Sequence, residues 1–402
     1  MPLLPFLKKE NVSLLINISG GSINTSLVLF NKNQIPKFLY AVNTPFVGEK
    51  QDIALFSEGM TSLLDSTLKD TIKKGWSNFD NNNRKKISHV VLSFSSPWCV
   101  LKTKEINLSK DNPFIITKAF IDSVVLKEEA MFKTELLKDH SETMKDGFDV
   151  IEKSIVHAKI NGYAVSDILN KKTKSLDAFV SMSAVPQNIK EKISSIVLKH
   201  THIPKENIMM HSFPLVLFST IRDNFDSGAD FILINIGSEM TDISLINDNT
   251  IKSVASFPFG KNTIIRHISK SFKISEEIAE SQLVMYLSEK VNDTVFTSIQ
   301  SLILDLEKEW AVYFEDALLA LSKNTIWPMK TFVLVDKETS PIFINFLKLY
   351  KADATSNFRK NAEITEVEES IISHLYNNDF KMQINEPLAI LTIFYNKFIQ
   401  SE

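Results

Sequence analysis

The sequence predicts an α/β protein whose two related lobes face each other across a cleft. Three observations support this fold class. Two stretches about half a chain apart, 14–46 and 232–260, repeat the same order of apolar residues and turn residues. Each stretch continues into sequence with helical periodicity. The chain of 402 residues is also long enough for several domains, since a domain commonly takes roughly 100–200 residues.

Each repeat predicts a β-meander of three strands. A loop of small residues and a turn rich in Asn and Asp separate the apolar strands, which is typical of antiparallel hairpins. In the first copy the strand, loop, strand, turn and strand fall at 14–18, 19–22, 25–30, 31–34 and 35–46. In the second copy they fall at 232–236, 237–240, 241–246, 247–250 and 251–259. In this alignment Thr25 of the first copy matches Thr241 of the second.

The segment between the two copies predicts a small α+β insertion at 87–185. A strand begins at Lys86, a helix spans 116–131, and two further strands span 150–160 and 176–185. These elements follow neither copy of the meander, so we assign them to a separate unit inserted into the first lobe.

The C-terminal third predicts mainly helices. Apolar residues recur every three or four positions from Leu302 to Leu321, which is typical of a long helix with one buried face. A strand at 331–335 and a closing helix at 387–399 follow. We therefore divide the chain into five parts. The first lobe comprises 1–86 and 186–228, and the insertion between these two segments comprises 87–185. The second lobe comprises 229–383, and a closing helix at 384–402 returns to the first lobe.

The composition excludes several classes of protein. The formal net charge is −3, whereas a nucleic-acid binder normally shows a clustered basic excess. The single cysteine, Cys99, excludes a disulfide framework and a cysteine-based zinc site, so a reducing cytoplasm is expected. Residues 1–7 lack the basic segment of an export signal, and no apolar run reaches the ~18 residues of a membrane span.

Three motifs in the second copy carry a resemblance to a known family. They are Ile234-Asn-Ile-Gly-Ser-Glu-Met-Thr-Asp-Ile-Ser, Phe257-Pro-Phe-Gly and Ile278-Ala-Glu. In this order they resemble the second phosphate loop, the corner and the Ala-Glu helix of the actin-like ATPase superfamily. The sequence is most similar to the branch that contains the cell-division protein FtsA and the type IV pilus assembly protein PilM, and 155–163 resembles the insertion domain of that branch. The resemblance implies a duplicated RNase H-like fold with two lobes and an α+β insertion in the first.

The resemblance also implies the residues of a nucleotide site. In this family the backbone N–H groups of two facing loops cradle the phosphates, because Gly and Ser permit close approach. An Asp at the end of each first strand positions Mg²⁺ and the attacking water. The positions of this chain that match the cofactor-binding motifs are Asn17, Ser19, Gly20, Gly21, Ser22, Asn235, Gly237, Ser238, Thr241, Asp242, Gly260 and Glu280.

Four departures from the family pattern predict a weakened site. Asn17 and Asn235 take the places of the two Asp residues, and an amide lacks the charge that attracts Mg²⁺. Leu283 takes the place of a lysine that contacts nucleotide, and no glycine follows the strand at 332–335. We therefore expect no catalytic residue, no protein metal ligand and no ATP turnover, while the surviving Asp242 leaves binding of ATP with Mg²⁺ open. In the alternative interpretation these Asn and Asp residues only cap hairpin turns, where they are favoured.

The closing helix indicates a role within this branch. FtsA-type proteins carry an amphipathic membrane helix after the fold, whereas only Gln400-Ser-Glu follows the helix here. This favours a PilM-like cytoplasmic scaffold, peripheral to the inner membrane, that binds the tail of a bitopic pilus-assembly protein similar to PilN. No nucleic acid or membrane insertion is expected, and self-association stays open.

We expect the tail to bind a groove between the first lobe and the insertion by backbone pairing and side-chain pockets. Two alternatives remain at this point. One is an FtsA-like adaptor of cell division. The other, from a different class, is a sugar or carboxylate kinase of the same superfamily, which would need a catalytic carboxylate and intact phosphate loops.

Overall fold

The structure is a computed structural model that describes residues 11–46, 53–77, 86–139, 147–165, 168–321, 327–352 and 362–401. Residues 1–7, from which we excluded an export signal, lie outside these ranges. The described residues form three β-sheets covered by α-helices. None of the helices within the described ranges has both the length and the apolar character needed to cross a membrane.

Strands and helices are numbered in chain order. The strands are β1 (Asn11–Ile18), β2 (Ser22–Phe30), β3 (Lys37–Pro45), β4 (Ile87–Phe94), β5 (Val100–Ile115), β6 (Phe148–Ile160), β7 (Tyr163–Ala164), β8 (Lys172–Pro186), β9 (Ile208–Ser212), β10 (Phe231–Ile236), β11 (Thr241–Asn247), β12 (Thr250–Phe257), β13 (Lys330–Val335) and β14 (Glu363–Glu366). The helices are α1 (Ile53–Ser77), α2 (Lys118–Asp139), α3 (Gln187–Thr201), α4 (Phe213–Asn224), α5 (Lys261–Phe272), α6 (Glu276–Leu287), α7 (Asp293–Leu321), α8 (Ser340–Ala352), α9 (Glu369–Ile372) and α10 (Glu386–Ser401).

Two of the sheets share one topology. The strand order is β3-β2-β1-β4-β9 in the first lobe and β12-β11-β10-β13-β14 in the second. In each sheet the first three strands form an antiparallel meander, because short turns can join only antiparallel neighbours. The last two strands of each sheet are parallel to their neighbours. In the first lobe β4 pairs with β1 and β9 pairs with β4, and in the second lobe β13 pairs with β10 and β14 pairs with β13. The predicted duplication of an α/β lobe is therefore confirmed.

The third sheet, ordered β5-β8-β6-β7, forms the insertion and is antiparallel throughout. The assignment of 87–185 to the insertion is wrong at its start, because β4 pairs in parallel with β1 of the first lobe. All of the last five residues of β4 are buried, which is typical of a strand covered on both faces of a parallel sheet. The sheet of the insertion begins with β5.

One apolar cluster joins the two lobes beneath the cleft. It contains large side chains from both sheets and from the helices α4 and α10, and its aromatic members include Phe30, Phe213, Phe231, Phe332 and Tyr395. Large aromatic side chains each bury roughly 150–250 Å², so this cluster ties the closing helix to both lobes. Because this cluster belongs to both lobes, it determines where the lobes face each other across the cleft.

Candidate functional site

The two small-residue loops face each other at corresponding ends of their sheets. The loop after β1 and the loop after β10 line the same cavity between the lobes. Its volume is about 170 Å³, below the roughly 300–1,000 Å³ typical of small-molecule sites. The lobes therefore lie close together where the family would place the phosphates.

A row of amide side chains crosses the first lobe's sheet at the cleft. Asn17 on β1 stands opposite Asn24 on β2, which stands opposite Asn43 on β3. Asn24 Nδ2 donates to Asn17 Oδ1 at 3.1 Å, and Asn17 Nδ2 donates to Ser93 Oγ at 2.9 Å. Asn17 and Asn24 are each 1% exposed, so their amides mainly bind one another and the neighbouring strand.

The second lobe has a corresponding pair of residues, in which an aspartate stands in place of one asparagine. Asn235 on β10 stands opposite Asp242 on β11. Ser256 Oγ donates to Asp242 Oδ1 at 2.6 Å, and Asn235 Nδ2 donates to Asp242 Oδ2 at 3.4 Å. Burial raises the pKa of Asp242, and hydrogen bonds from Ser256, Ser96 and Asn235 offset only part of that rise. A Mg²⁺ ion at this carboxylate would have to replace these neutral donors.

The substitution Asp242→Asn is expected to stabilise the protein at neutral pH. A buried carboxyl whose pKa is raised by folding opposes folding when ionised, and this cost disappears as the pH falls through the folded pKa. The amide lacks the charge, and the first lobe already holds an amide pair at the matching position. Thermal unfolding should give the variant a higher Tm at pH 7, with a difference that shrinks toward pH 3.8, the ordinary pKa of Asp. A lower Tm at pH 7 would refute this.

The two loops are in direct contact. A Cβ atom added at Gly21 would lie 2.2 Å from Ser238 Cβ, and one added at Gly20 would lie 3.1 Å from Glu239 Cβ. Such an approach requires a residue without a side chain at Gly21. The two loops therefore pack against each other at this point, beside the cavity that they line.

A buried ion pair anchors the second loop to α5. The Glu239 side chain is 5% exposed, and its two oxygens each lie 3.1 Å from a guanidinium nitrogen of Arg266. Asn262 Nδ2 donates to Glu239 Oε1 at 2.8 Å, and the Asn262 backbone N–H donates to the Ser238 carbonyl at 2.8 Å. The first N–H groups of a helix have no partner within the helix and can therefore bind an anion. At the start of α5 such an N–H group donates to a carbonyl of the second loop instead.

A lysine occupies the other end of the cavity. Lys261 Nζ lies 2.9 Å from Glu280 Oε1 and 3.0 Å from Glu338 Oε2, and Asp336 Oδ2 is 4.0 Å away. Burial alone would lower the pKa of Lys261, but the three carboxylates, Asp336 most strongly, raise it. Glu280 is therefore paired within the protein. Asp336 follows β13, where the family has the glycines that this chain lacks.

Carboxylates outnumber cations around the cavity. Within the described part of the chain, Lys261 is the one basic residue in its lining, and the acidic lining residues are Glu239, Asp242, Glu280, Asp336 and Glu386. A triphosphate has the same sign of charge as this excess, so the lining disfavours it electrostatically. No group of three or more His, Cys, Asp or Glu in the described ranges is arranged to hold a metal ion.

Most residues named from the resemblance line this cavity. Those in its wall are Asn17, Ser19, Gly20, Gly21, Ser22, Asn235, Gly237, Ser238, Asp242 and Glu280. Thr241 and Gly260 lie behind the wall. Thr241 Oγ1 donates to the Phe259 carbonyl at 2.7 Å, and a Cβ at Gly260 would meet the Gly237 carbonyl oxygen at 2.3 Å. These two residues hold the corner that leads into α5.

Sequence reasoning missed several lining residues. Asn24 is the clearest, because strand pairing matches it to the second lobe's Asp242, whereas the alignment of Thr25 with Thr241 matched Ser26 to that residue. Counting seven residues from each strand-end asparagine would have found it. Lys261 left no such signal, because its partners come from distant segments. Leu283, in the family's lysine position, is buried in the second lobe's core.

The insertion also contacts the second lobe. Lys252 Nζ on β12 lies 3.4 Å from the centre of the Phe179 ring on β8. Lys159 Nζ on β6 lies 4.0 Å from Asp248 Oδ2 in the turn before β12. These contacts and the touching loops join the first lobe and its insertion to the second lobe.

A second surface lies where the insertion meets the first lobe. Among the described strands β9 pairs only with β4, so it forms the sheet edge, and β6 of the insertion lies beside it. Glu152 of β6 joins the two units, because its Oε1 lies 2.8 Å from His211 Nδ1 and its Oε2 accepts from Ser212 Oγ at 3.3 Å. The side chains of 208–211 are all partly exposed. We call this surface, formed by β9 and Glu152, the β9 groove.

Comparison with known proteins gives a structural match without a sequence match. No protein-family model matches the sequence, and no curated protein matches it. A chain of the PilM-PilN type IV pilus biogenesis complex superposes with a TM-score of 0.57, covering 96% of this chain and 98% of that one at 12% identity. The chain has the actin-like ATPase fold.

Two further matches to solved structures have lower scores. The ethanolamine utilization protein EutJ from Carboxydothermus hydrogenoformans has a TM-score of 0.46 at 11% identity, with 98% of this chain and 92% of that chain covered. A protein of unknown function with an actin-like ATPase fold from Bacteroides thetaiotaomicron has a TM-score of 0.41 at 11% identity, with 93% and 99% covered.

Proposed function

We propose that this chain is a cytoplasmic scaffold of type IV pilus assembly, similar in role to PilM. In this proposal it binds the cytoplasmic tail of a bitopic inner-membrane protein similar to PilN and is peripheral to that membrane through its partner. The observation that carries the proposal is the likeness, over almost the whole of both chains, to a member of the PilM-PilN complex.

The closed cleft supports a scaffold without ATP turnover. The loops touch at Gly21 and Ser238, and neutral amides take the places of the two Asp residues that the family uses with Mg²⁺. Without such carboxylates the charge that develops in phosphoryl transfer lacks its usual metal partner. ATP with Mg²⁺ is therefore not part of the proposed function.

The β9 groove supports recognition of an extended tail. An edge strand presents unpaired N–H and C=O groups, which an extended peptide can join as an added strand. The strand also presents Ile208, Met209 and Met210 partly exposed; Met209 packs on the cluster that joins the lobes, and Ile208 and Met210 pack on the first lobe's core on the opposite face of the sheet, so apolar side chains border the strand on both faces. Methionine adapts its shape to apolar partners, so the groove suits a tail with several apolar residues.

The proposal is tested with single lysine substitutions in the groove. Met209→Lys and Met210→Lys should each weaken binding of the tail at least tenfold, or about 1.4 kcal/mol, because a charge would replace an apolar contact. Fluorescence anisotropy would measure this with a labelled synthetic peptide of the cytoplasmic tail of a PilN-like bitopic protein from the same genome. Thermal unfolding of each variant would show that the fold persists.

The matched control is Met329→Lys, which places the same charge at a methionine exposed by 40% in the second lobe. It should bind the peptide as the wild type does. Equal loss of binding in all three variants would show that the tail does not bind the β9 groove. No binding of a pilus-protein tail to the wild type, with binding of a division protein's tail instead, would favour the FtsA-like role.

A further inference from the structure

One end of the insertion's sheet brings together strand ends and turns that are far apart in sequence. Ile115 at the end of β5 stands opposite Lys172 at the start of β8. Ile160 at the end of β6 stands opposite Leu176 of β8 and Tyr163 of β7. We call this end of the insertion the insertion tip, and it comprises the described residues 109–120, 160–165 and 168–176.

The insertion tip exposes large apolar side chains. Tyr163 is 78% exposed, Ile115 is 57% exposed and Leu169 is 41% exposed. The next residue, Ile116, is fully buried in the core of the insertion, so the exposed side chains lie outside a packed core. Exposed apolar side chains that lie close together mark a surface for a partner. Tyrosine is favoured where an apolar phase meets water, because its ring is apolar and its hydroxyl is polar.

Lysines border these apolar side chains. Within the described residues of the insertion tip the one carboxylate is that of Asp111, whereas the exposed lysines are Lys110, Lys118, Lys171, Lys172 and Lys174. The next carboxylates, Asp122 and Asp177, lie further along α2 and β8. The insertion tip is therefore locally basic, although the formal net charge of the whole chain is −3.

Two of these lysines are placed by the fold. Lys110 Nζ lies 4.8 Å from the centre of the Phe114 ring and 5.4 Å from that of Phe120, so a cation is held beside the aromatic side chains. Lys118 begins α2, and the N-terminus is the positive end of a helix dipole. Both features add to the attraction of the insertion tip for a negatively charged partner.

We propose that the insertion tip binds the surface of a membrane that contains anionic lipids. Its lysines contact the lipid phosphates, and Ile115, Tyr163 and Leu169 enter the interface between headgroups and acyl chains. The contact is made by the insertion and not by a helix that follows the fold. The apolar side chains favour a membrane over a nucleic acid, because a phosphate backbone would pair with the lysines alone. This inference does not depend on the proposed pilus function.

Co-sedimentation of the full chain with lipid vesicles tests this contact. The wild type should bind vesicles of phosphatidylglycerol and phosphatidylcholine in equal parts at least tenfold more tightly than vesicles of phosphatidylcholine alone, because only the former carry a net negative charge. Added salt should release the protein, since exposed charges are screened. Lys171→Glu with Lys172→Glu should weaken binding to the anionic vesicles at least tenfold. Tyr163→Ser should weaken it roughly threefold without any change of charge.

The matched control reverses two exposed lysines on α1 of the first lobe, Lys69→Glu with Lys73→Glu. It changes the net charge of the chain by the same amount and should bind anionic vesicles as the wild type does, because the contact is local. Thermal unfolding would show that every variant keeps the fold.

Three results would overturn the proposal. The first is a wild type that binds neither kind of vesicle or binds both equally, and the second is an equal loss of binding in the insertion-tip and control variants. The third is binding of duplex DNA, lost in Lys171→Glu with Lys172→Glu, by a wild type that does not bind anionic vesicles. That last result would assign the lysines to a nucleic acid.

Discussion

The substitution Arg266→Met is expected to lower the free energy of unfolding by about 2–4 kcal/mol. Removing one partner of a buried ion pair leaves an uncompensated charge, which costs roughly 3–5 kcal/mol when both partners are buried. Here the Glu239 side chain is 5% exposed and that of Arg266 is 35% exposed, and Asn262 continues to donate to Glu239. The cost should therefore lie in or below the lower part of that range, as measured by urea unfolding.

Two further variants show whether the buried charge causes the loss. Lys74→Met breaks the exposed pair with Asp70 on α1 and should cost far less than Arg266→Met, because an ion pair between exposed side chains contributes little to stability. Adding Glu239→Gln to Arg266→Met should recover part of the stability, because a neutral amide is less costly to bury than a carboxylate that has lost its cationic partner. Arg266→Met no more costly than Lys74→Met would show that the second loop is not anchored as described.

The substitution Gly21→Ala is expected to destabilise the protein by about 1–3 kcal/mol, the usual cost of forcing extra atoms into a packed site. The new Cβ would lie 2.2 Å from Ser238 Cβ and 2.7 Å from Ser238 Oγ, so the lobes would have to separate at the loops. Alanine at an unconstrained glycine would instead stabilise the chain by roughly 0.4–1 kcal/mol. The sign of the change in thermal stability therefore reports whether the loops touch in solution.

The rescuing substitution is Ser238→Gly. It removes both clashing atoms, and the third atom near the new Cβ, Asn262 Nδ2, lies at an ordinary 3.4 Å. The double variant Gly21→Ala with Ser238→Gly should therefore be at least as stable as Ser238→Gly alone. If Gly21→Ala is neutral or stabilising in the wild-type background, the cleft is open in solution.

The fold was predictable because its signals are local. Asn-rich turns and alternating apolar residues mark each hairpin, and the repeated order of residues predicts two sheets of one topology. The error at β4 has a physical cause. A buried parallel strand appears as a continuous apolar run, which does not indicate the sheet that it joins, and only the pairing of β4 with β1 places it in the first lobe.

The candidate site was predictable only along each loop. The two loops carry recognisable small residues, so sequence located most of the cavity wall. The contact of Gly21 with Ser238 depends on how the lobes approach each other, and the pairing of Lys261 with Glu338 joins segments far apart in sequence. Closure of the cleft results from such long-range contacts and therefore leaves no local pattern.

The most direct test of the closed cleft is calorimetric titration of the purified protein with ATP and Mg²⁺. We expect no heat of binding at millimolar ATP and no rise in Tm, because the loops meet and carboxylates surround Lys261. A ligand that binds only the folded state raises its stability with the ratio of ligand concentration to Kd, so thermal unfolding checks the result independently. A micromolar Kd with a matching rise in Tm would show that the cleft is not closed, since the loops would then have to part and cradle phosphate.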